Sequence, residues 1–384
     1  MNFATFILKN LLRRKARSLL TMCGIAVAVA TTIALLGVSD DFQSAVLQSF
    51  KNEGSDIVIS PKGSLLQIAG DMNEAVADDI RKVPGVAAVS QGLLEQIAME
   101  IDDNQVPVLL QGWKHGTFAF NDIEIIEGRS LEPDDVDAVM LGEALAEKMH
   151  AKVNQPIEIQ DETFNVVGIY DSKTLLKRGA AIMLLRRLQD LMLREGSVTG
   201  FSVQVDPEIK ADADAIEAVC ERIDNLNDAD GNSLNLDASS TDDYVRDNFQ
   251  LKLTRAMAWV TSLIAVGVGT IGMLNTMIMS VMERIREISV LRAMGWRRGR
   301  VIAMIVGESI VLSIFGAALG AGVAIIGSHY ITKMPQVNGF LSGHIAPWVI
   351  ASGMVIAFFV GLIGAAYPAW RASRLLPSEG LRYE

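Results

Sequence analysis

Residue types able to do covalent chemistry are scattered along this chain rather than gathered. His115, His150, His329 and His344 show no metal-ligand spacing. The sequence has no Gly-x-Ser-x-Gly elbow, no His-Glu-x-x-His pair and no Gly-x-x-x-x-Gly-Lys-Ser/Thr loop. It therefore offers no P-loop cradle for ATP. Asp134-Asp135 and Asp242-Asp243 read as solvated surface rather than as an acid/base pair. Cys23 lies in an apolar run and Cys220 in a polar region, so no disulfide framework is implied. Cys220 reads as a small buried residue rather than a reactive thiol. What the chain does concentrate is charge, in residues 282–300. At helical spacing Ile285, Ile288, Leu291 and Met294 form one apolar stripe. Glu283 with Arg286 and Arg284 with Glu287 are opposite charges three apart, placed to meet on the polar face. Gly295 stands where such a helix would stop. A short amphipathic helix joined to two spans is suited to receiving force from a partner. The same pattern also reads as a solvated loop that only anchors topology.

The elements that hold this stretch are apolar. Half of the 384 residues are hydrophobic and the mean hydropathy is +0.30. Four runs, 18–38, 257–282, 301–328 and 347–367, approach or exceed the roughly 20 residues needed to cross a bilayer. Lys9, Arg13, Arg14, Lys15 and Arg17 precede the first run. Arg284, Arg286, Arg292, Arg297, Arg298 and Arg300 fill the second-to-third connection, and Arg371, Arg374 and Arg382 follow the fourth run. Lys252 and Arg255 are the main counter-signal. The positive-inside rule puts the three basic clusters, and with them both termini, on the cytoplasmic side. The first run also has the basic flank of a cleaved signal peptide, although it is long for one. Residues 2–17 mix an apolar and a basic face, the pattern of a helix lying in the membrane surface. Gly316 and Gly320, and likewise Gly267, Gly269 and Gly272, are small residues at helix-packing spacing. Glu308 is the one acid within a span, about two turns past Arg300, and reads as reaching the cytoplasmic interface. No chain of ionisable residues crosses the spans, which argues against a proton-driven transporter.

The net charge of −11 hides an asymmetry. Residues 39–252 hold about 40 of the 45 acids and about 18 of the 34 bases, close to −22. This excludes a whole-chain nucleic-acid binder and marks an acidic soluble domain outside the cytoplasm. Residues 40–53 and 242–256 read as helical stalks at its two ends. Between them the patterns predict strands at 55–60, 106–111, 139–142, 156–160, 164–170 and 201–205, and helices at 73–83, 143–149 and 211–225. Pro107 suggests that its strand is an edge. Asp161-Glu162 reads as a turn, and 227–240 as a loop. The expected fold is an α-helical membrane protein with four transmembrane helices and a large α+β extracytoplasmic domain inserted between the first and second.

The order of a span, a large outside domain, then three spans with a charged connection resembles the FtsX-like permease family, membrane subunits of ABC transporters of the macrolide-exporter and lipoprotein-releasing type. Residues 283–295 resemble that family's Glu-Arg-x-x-Glu-Ile-x-x-Leu-[Arg/Lys]-Ala-x-Gly motif. The tail 367–374 with 381–384 resembles its closing Pro-Ala-x-x-Ala pattern, with Trp370 and Gly380 as departures. Residues 56–59, Gly128-Arg129, Leu141-Gly142 and 167–169 resemble a MacB-like periplasmic core domain. The resemblance implies a cytoplasmic amphipathic helix (1–17), a first span (18–38), the core domain with its stalks (39–252) and a permease region (253–384). It makes 283–300 the coupling helix, with Glu283, Arg284, Arg286, Glu287, Ile288, Leu291, Arg292 and Gly295 contacting a separate cytoplasmic ABC ATPase. That partner would bind ATP and Mg, and this chain would hold no cofactor or metal and do no catalysis. A second permease chain, identical or a paralogue, would pair with it in a multi-pass inner-membrane complex with both termini cytoplasmic, while Gly316 and Gly320 are helix-packing residues that suit either bundle or dimer packing. A periplasmic adaptor or outer-membrane component could join. The implied role is export or extraction of a hydrophobic or amphipathic cargo: lipoprotein, lipid, peptide or antibiotic. The alternative is regulation of an outside partner such as a wall hydrolase, without transport.

Overall fold

Apolar length decides the first level of structure. The computed structural model describes residues 15–63, 70–101, 104–228, 230–332, 334 and 342–375. The expected surface helix before residue 15, Lys333 and the closing residues 381–384 lie outside the described residues. Four helices are long and apolar enough to cross a membrane: the first, Lys15–Glu53; the second, Phe249–Met282; the third, Arg298–Ile331; and the fourth, Pro347–Ser373. The chain divides into two units, one of residues 1–40, 255–330 and 343–384, the other of residues 41–254 and 331–342.

In the helical unit, small residues bring backbones together. A Cβ built on Gly320 would lie 2.5 Å from the Ala26 carbonyl oxygen of the first helix, and one on Gly316 would lie 3.0 Å from Ile25 Cβ. Gly353 of the fourth helix makes room for the Ile33 side chain, and Gly364 for the Met273 side chain of the second. The Ser309 hydroxyl donates to the Gly361 carbonyl at 2.7 Å, tying the third helix to the fourth. Gly267 and Gly272 have nothing within 4 Å. The second helix is the least buried of the four, exposing Trp259, Leu263, Ile264, Val268 and Ile271. Gly320→Leu therefore forces a side chain into the first helix's backbone, and overpacking of this kind costs about 1–3 kcal/mol or more. Its monodisperse yield in detergent is expected to collapse, while Gly272→Leu keeps the parental chromatographic profile.

The other unit is built on one ten-stranded sheet. Its strands are β1 (Ile57–Pro61), β3 (Val86–Ile101), β4 (Asn104–Trp113), β5 (Ile123–Gly128), β6 (Ala138–Gly142), β7 (Pro156–Ile159), β8 (Glu162–Ser172), β9 (Ala180–Leu184), β11 (Gly200–Val205) and β12 (Leu236–Ser240). The order is β12-β1-β11-β3-β4-β9-β6-β8-β5, with β7 beside β8. β2 (Met72–Asn73) and β10 (Ser197–Val198) form a separate short pair. The β4–β9 and β6–β8 pairs are parallel and the rest antiparallel. One face of the central strands, with Ile57, Ile59, Leu93, Val108, Leu110 and Val203, is fully buried in the core.

Several sequence expectations change here. β4 is interior, not an edge; Pro107 pairs with Ala98 of β3 but lies before Leu109, where pairing with β9 begins. The missing N–H therefore falls on an overhang, where no ladder bond is lost. The end of the expected loop 227–240 is strand β12, whose Leu236 and Ala238 are buried. The expected helix 73–83 shrinks to Val76–Ile80, because Asn73 pairs with Ser197. The turn between β7 and β8 sits at Gln160 and Asp161, with φ of 52° and 64°, the left-handed pair that a two-residue hairpin requires.

Candidate functional site

The charged connection folds as a turn at Glu283 and Arg284 followed by a short helix, Ile285–Ala293. Ile285, Ile288 and Ser289 are buried, and Leu291 is half-buried. Ile288 belongs to the same apolar cluster as Val301, Met304 and Ile305 of the third helix and Ala369 and Ala372 of the fourth. The opposite face, with Arg286, Glu287 and Val290, is exposed. Met294 is also exposed, because the helix ends before the apolar stripe does. Gly295 takes φ 95°, its N–H donates to the Arg292 carbonyl at 3.0 Å, and the Trp296 N–H donates to the Leu291 carbonyl at 3.1 Å. This is a Schellman stop, and it requires a left-handed residue that glycine supplies without strain. Arg300 stacks 5.4 Å from the Trp296 ring centre. Trp370, in the fourth helix, carries Arg374 4.1 Å above its ring.

Arg284 does not pair with Glu287 on the polar face as its spacing suggests. Its guanidinium turns inward and donates two hydrogen bonds, Nη1 to Glu308 Oε2 at 3.1 Å and Nη2 to Oε1 at 3.2 Å. Both side chains are less than a tenth exposed. Glu308 is thus one half of a bidentate pair that fixes the start of the short helix to the third long helix. Gly316 and Gly320 lie farther along the third helix, against the first.

The sheet unit has its own buried ionic cluster. Lys177 is fully buried, and its ammonium lies 3.0 Å from Glu53 Oε1 and 2.5 Å from Asp122 Oδ1 and donates to the Ala119 carbonyl at 2.9 Å. The Ser172 hydroxyl donates to Asp122 Oδ2 at 2.9 Å. Tyr170 donates to the Lys177 carbonyl at 2.7 Å, and burial holds its phenol well above the usual range. Burial pushes the Glu53 carboxyl up, Lys177 opposes this, and the Asp122 charge adds to it. Glu53, Asp122 and Lys177 come from a helix end, a loop and another short helix, and no spacing rule joins them in sequence. Cys220 is buried, and burial with the neighbouring Asp224 charge pushes its thiol up to about 12. Among the described residues no cluster of His, Cys, Asp or Glu could hold a metal ion.

Four membrane-length helices, a sheet unit in their first connection and a charged short helix in their second give the described residues the architecture of a multi-span membrane protein with an inserted sheet domain. Residues 18–223 match the family model of the MacB-like periplasmic core domain, and residues 259–377 match that of the FtsX-like permease C-terminal region. The chain belongs to this family of ABC transporter permeases. It is 24% identical to the Bacillus subtilis protein described as the uncharacterized ABC transporter permease YknZ, over 98% of both chains. It is 27% identical to the uncharacterized ABC transporter permease MJ1507 of Methanocaldococcus jannaschii, over 99% of this chain and 97% of that one. It is 23% identical to the macrolide export ATP-binding/permease protein MacB of Bdellovibrio bacteriovorus, over 98% of this chain but 61% of that longer protein.

Proposed function

We propose that this chain is the non-catalytic membrane subunit of a transporter whose ATP hydrolysis occurs in a separate cytoplasmic ATPase. The short helix Ile285–Ala293 carries the reading. Its buried Ile288 shares an apolar cluster with the third and fourth helices and its charged face is exposed, so a protein docked on the charged face can move the helices beneath. Glu283, Arg286 and Glu287 are exposed for that contact, while Ile288, Leu291, Arg292 and Gly295 shape the helix and its stop. ATP and Mg belong to the partner. The basic clusters favour a topology with both termini and this helix in the cytoplasm and the acidic sheet unit outside, and an inner-membrane location is part of the proposal. A second permease chain completes the complex, and the exposed apolar face of the second helix suits either it or lipid. The motion would reach the outside unit and act on a hydrophobic or amphipathic cargo; an adaptor or outer-membrane component is compatible with this arrangement.

The test is purification of the tagged full-length chain from its native membrane in mild detergent. An ATPase is expected to co-purify. Glu283→Lys combined with Glu287→Lys should abolish that association, or reduce it by at least about tenfold, with membrane insertion unchanged. Retention of the ATPase by the double variant, or no ATPase under several detergents, would sink the assignment.

A further inference from the structure

The sheet unit carries a partly open cavity of about 340 Å³, in the size range of small-ligand sites. Its floor is the sheet face opposite the main core. The register there aligns Val58 with Ser202 and Ser202 with Ser90, so small side chains lie where a packed interior would carry large ones. Gly92 leaves room for the Trp113 ring, which a Cβ there would meet at 2.5 Å. Phe42 and Phe50 of the first long helix, Leu251 of the second, and Leu94 and Trp113 of the sheet give the space an apolar wall. Apolar surface left in contact with water is unfavourable, so an apolar wall of this extent favours an apolar occupant.

Glu53 supplies the chemistry of that occupant. It is the one charged residue in the lining and is 4% exposed. Its Oε1 takes the Lys177 ammonium, but its Oε2 accepts a hydrogen bond from no described residue. Lys177 is shared with Asp122, so two buried carboxylates divide one positive charge and the cluster is one cation short. Burial is the main cause of the upward push on the Glu53 carboxyl, and the Asp122 charge adds to it. Tyr244, the other ionisable group in the lining, is pushed up to about 12 by burial and stays neutral.

We propose that this cavity binds an amphipathic amine, with its apolar part among Phe42, Phe50, Leu94 and Trp113 and its ammonium donating to Glu53 Oε2. The site does not depend on the ATPase assignment, and its test involves no ATPase, so either can fail without the other.

The full-length chain in lipid nanodiscs is photolabelled with dodecylamine carrying a diazirine in the alkyl chain, and with dodecanol and dodecanoate analogues. Adducts are mapped by mass spectrometry. The amine is expected to label the cavity residues about tenfold more than the carboxylate, the size of one charge-assisted hydrogen bond. Unlabelled dodecylamine should compete, and Glu53→Gln should reduce amine labelling to the level of the alcohol. Val46→Trp fills the cavity from the first helix with Glu53 intact and should suppress all three probes. Equal labelling by amine and carboxylate in the parent chain would overturn the proposal, as would labelling that Val46→Trp leaves unchanged. The head-group comparison and Val46→Trp decide the matter even if Glu53→Gln fails to fold.

Discussion

Glu308→Arg is expected to lower the unfolding midpoint of the full-length chain in detergent sharply, and Arg284→Glu to do the same, whereas the two together recover a large part of the loss. The reason is burial. Both side chains are less than a tenth exposed and share two parallel hydrogen bonds of 3.1 and 3.2 Å. Breaking such a pair leaves an uncompensated buried charge, which costs about 3–5 kcal/mol. Each single reversal goes further and sets two like charges together. The exchanged pair restores opposite charge in the same space, although a glutamate at 284 is shorter than the arginine it replaces, so recovery should be incomplete. The informative quantity is the difference between the double loss and the sum of the single ones, because neighbours that interact are non-additive. Additive losses would mean that the two residues stabilise the chain separately. If the co-purified ATPase is present, the same four proteins separate two roles. Loss of ATP hydrolysis that tracks only the midpoint marks a structural pair. Loss in the exchanged variant despite recovered stability marks a pair whose geometry carries motion.

That pair also shows what local pattern can and cannot reveal. The four long helices were legible because crossing a bilayer demands about 20 apolar residues in a row, and nothing else in the chain has them. The strand at 139–142 running into the helix at 143–149 was legible because its apolar run and the change of period are both local. Glu308 was visible as an oddity, but its partner 24 residues back was not; the nearest opposite charge at helical spacing was Glu287, and the turn at 283–284 removes Arg284 from that face. β3, the longest strand, mixes Gly92, Gln91 and Glu95 into its apolar residues because its two faces meet different surroundings, so no clean alternation marks it. β9 is a continuous apolar run of five residues, too short for periodicity to separate strand from helix. β12 is hidden in turn-forming composition, and only Leu236 and Ala238 carry its inward face. Glu53 read as the end of a polar stalk. Tertiary packing alone makes it a buried acid.

Lys177→Met is expected to be the most damaging single change in the sheet unit. It removes the only cation from a cluster in which Glu53 and Asp122 are both buried, and an unpaired buried charge costs about 3–5 kcal/mol. The full-length variant should lose protease resistance in residues 41–254 at neutral pH. Adding Glu53→Gln and Asp122→Asn should restore it, because the charges that needed Lys177 are then gone. The pH dependence fixes the sign. In the parent chain Glu53 has a folded-state pKa above its ordinary 4.5, so the folded state binds this proton more tightly than the unfolded state does. Stability from this group is present below 4.5 and declines as pH rises through the folded-state value. Without Lys177 the attraction that opposes burial is lost, so the decline must be steeper in total and extend to higher pH. Protease resistance of Lys177→Met should therefore recover on acidification, measured with a protease active across the range, while the triple variant shows no such recovery. A Lys177→Met chain equally labile at every pH would mean that the lysine acts through its hydrogen bond to Ala119 and its packing, not through its charge.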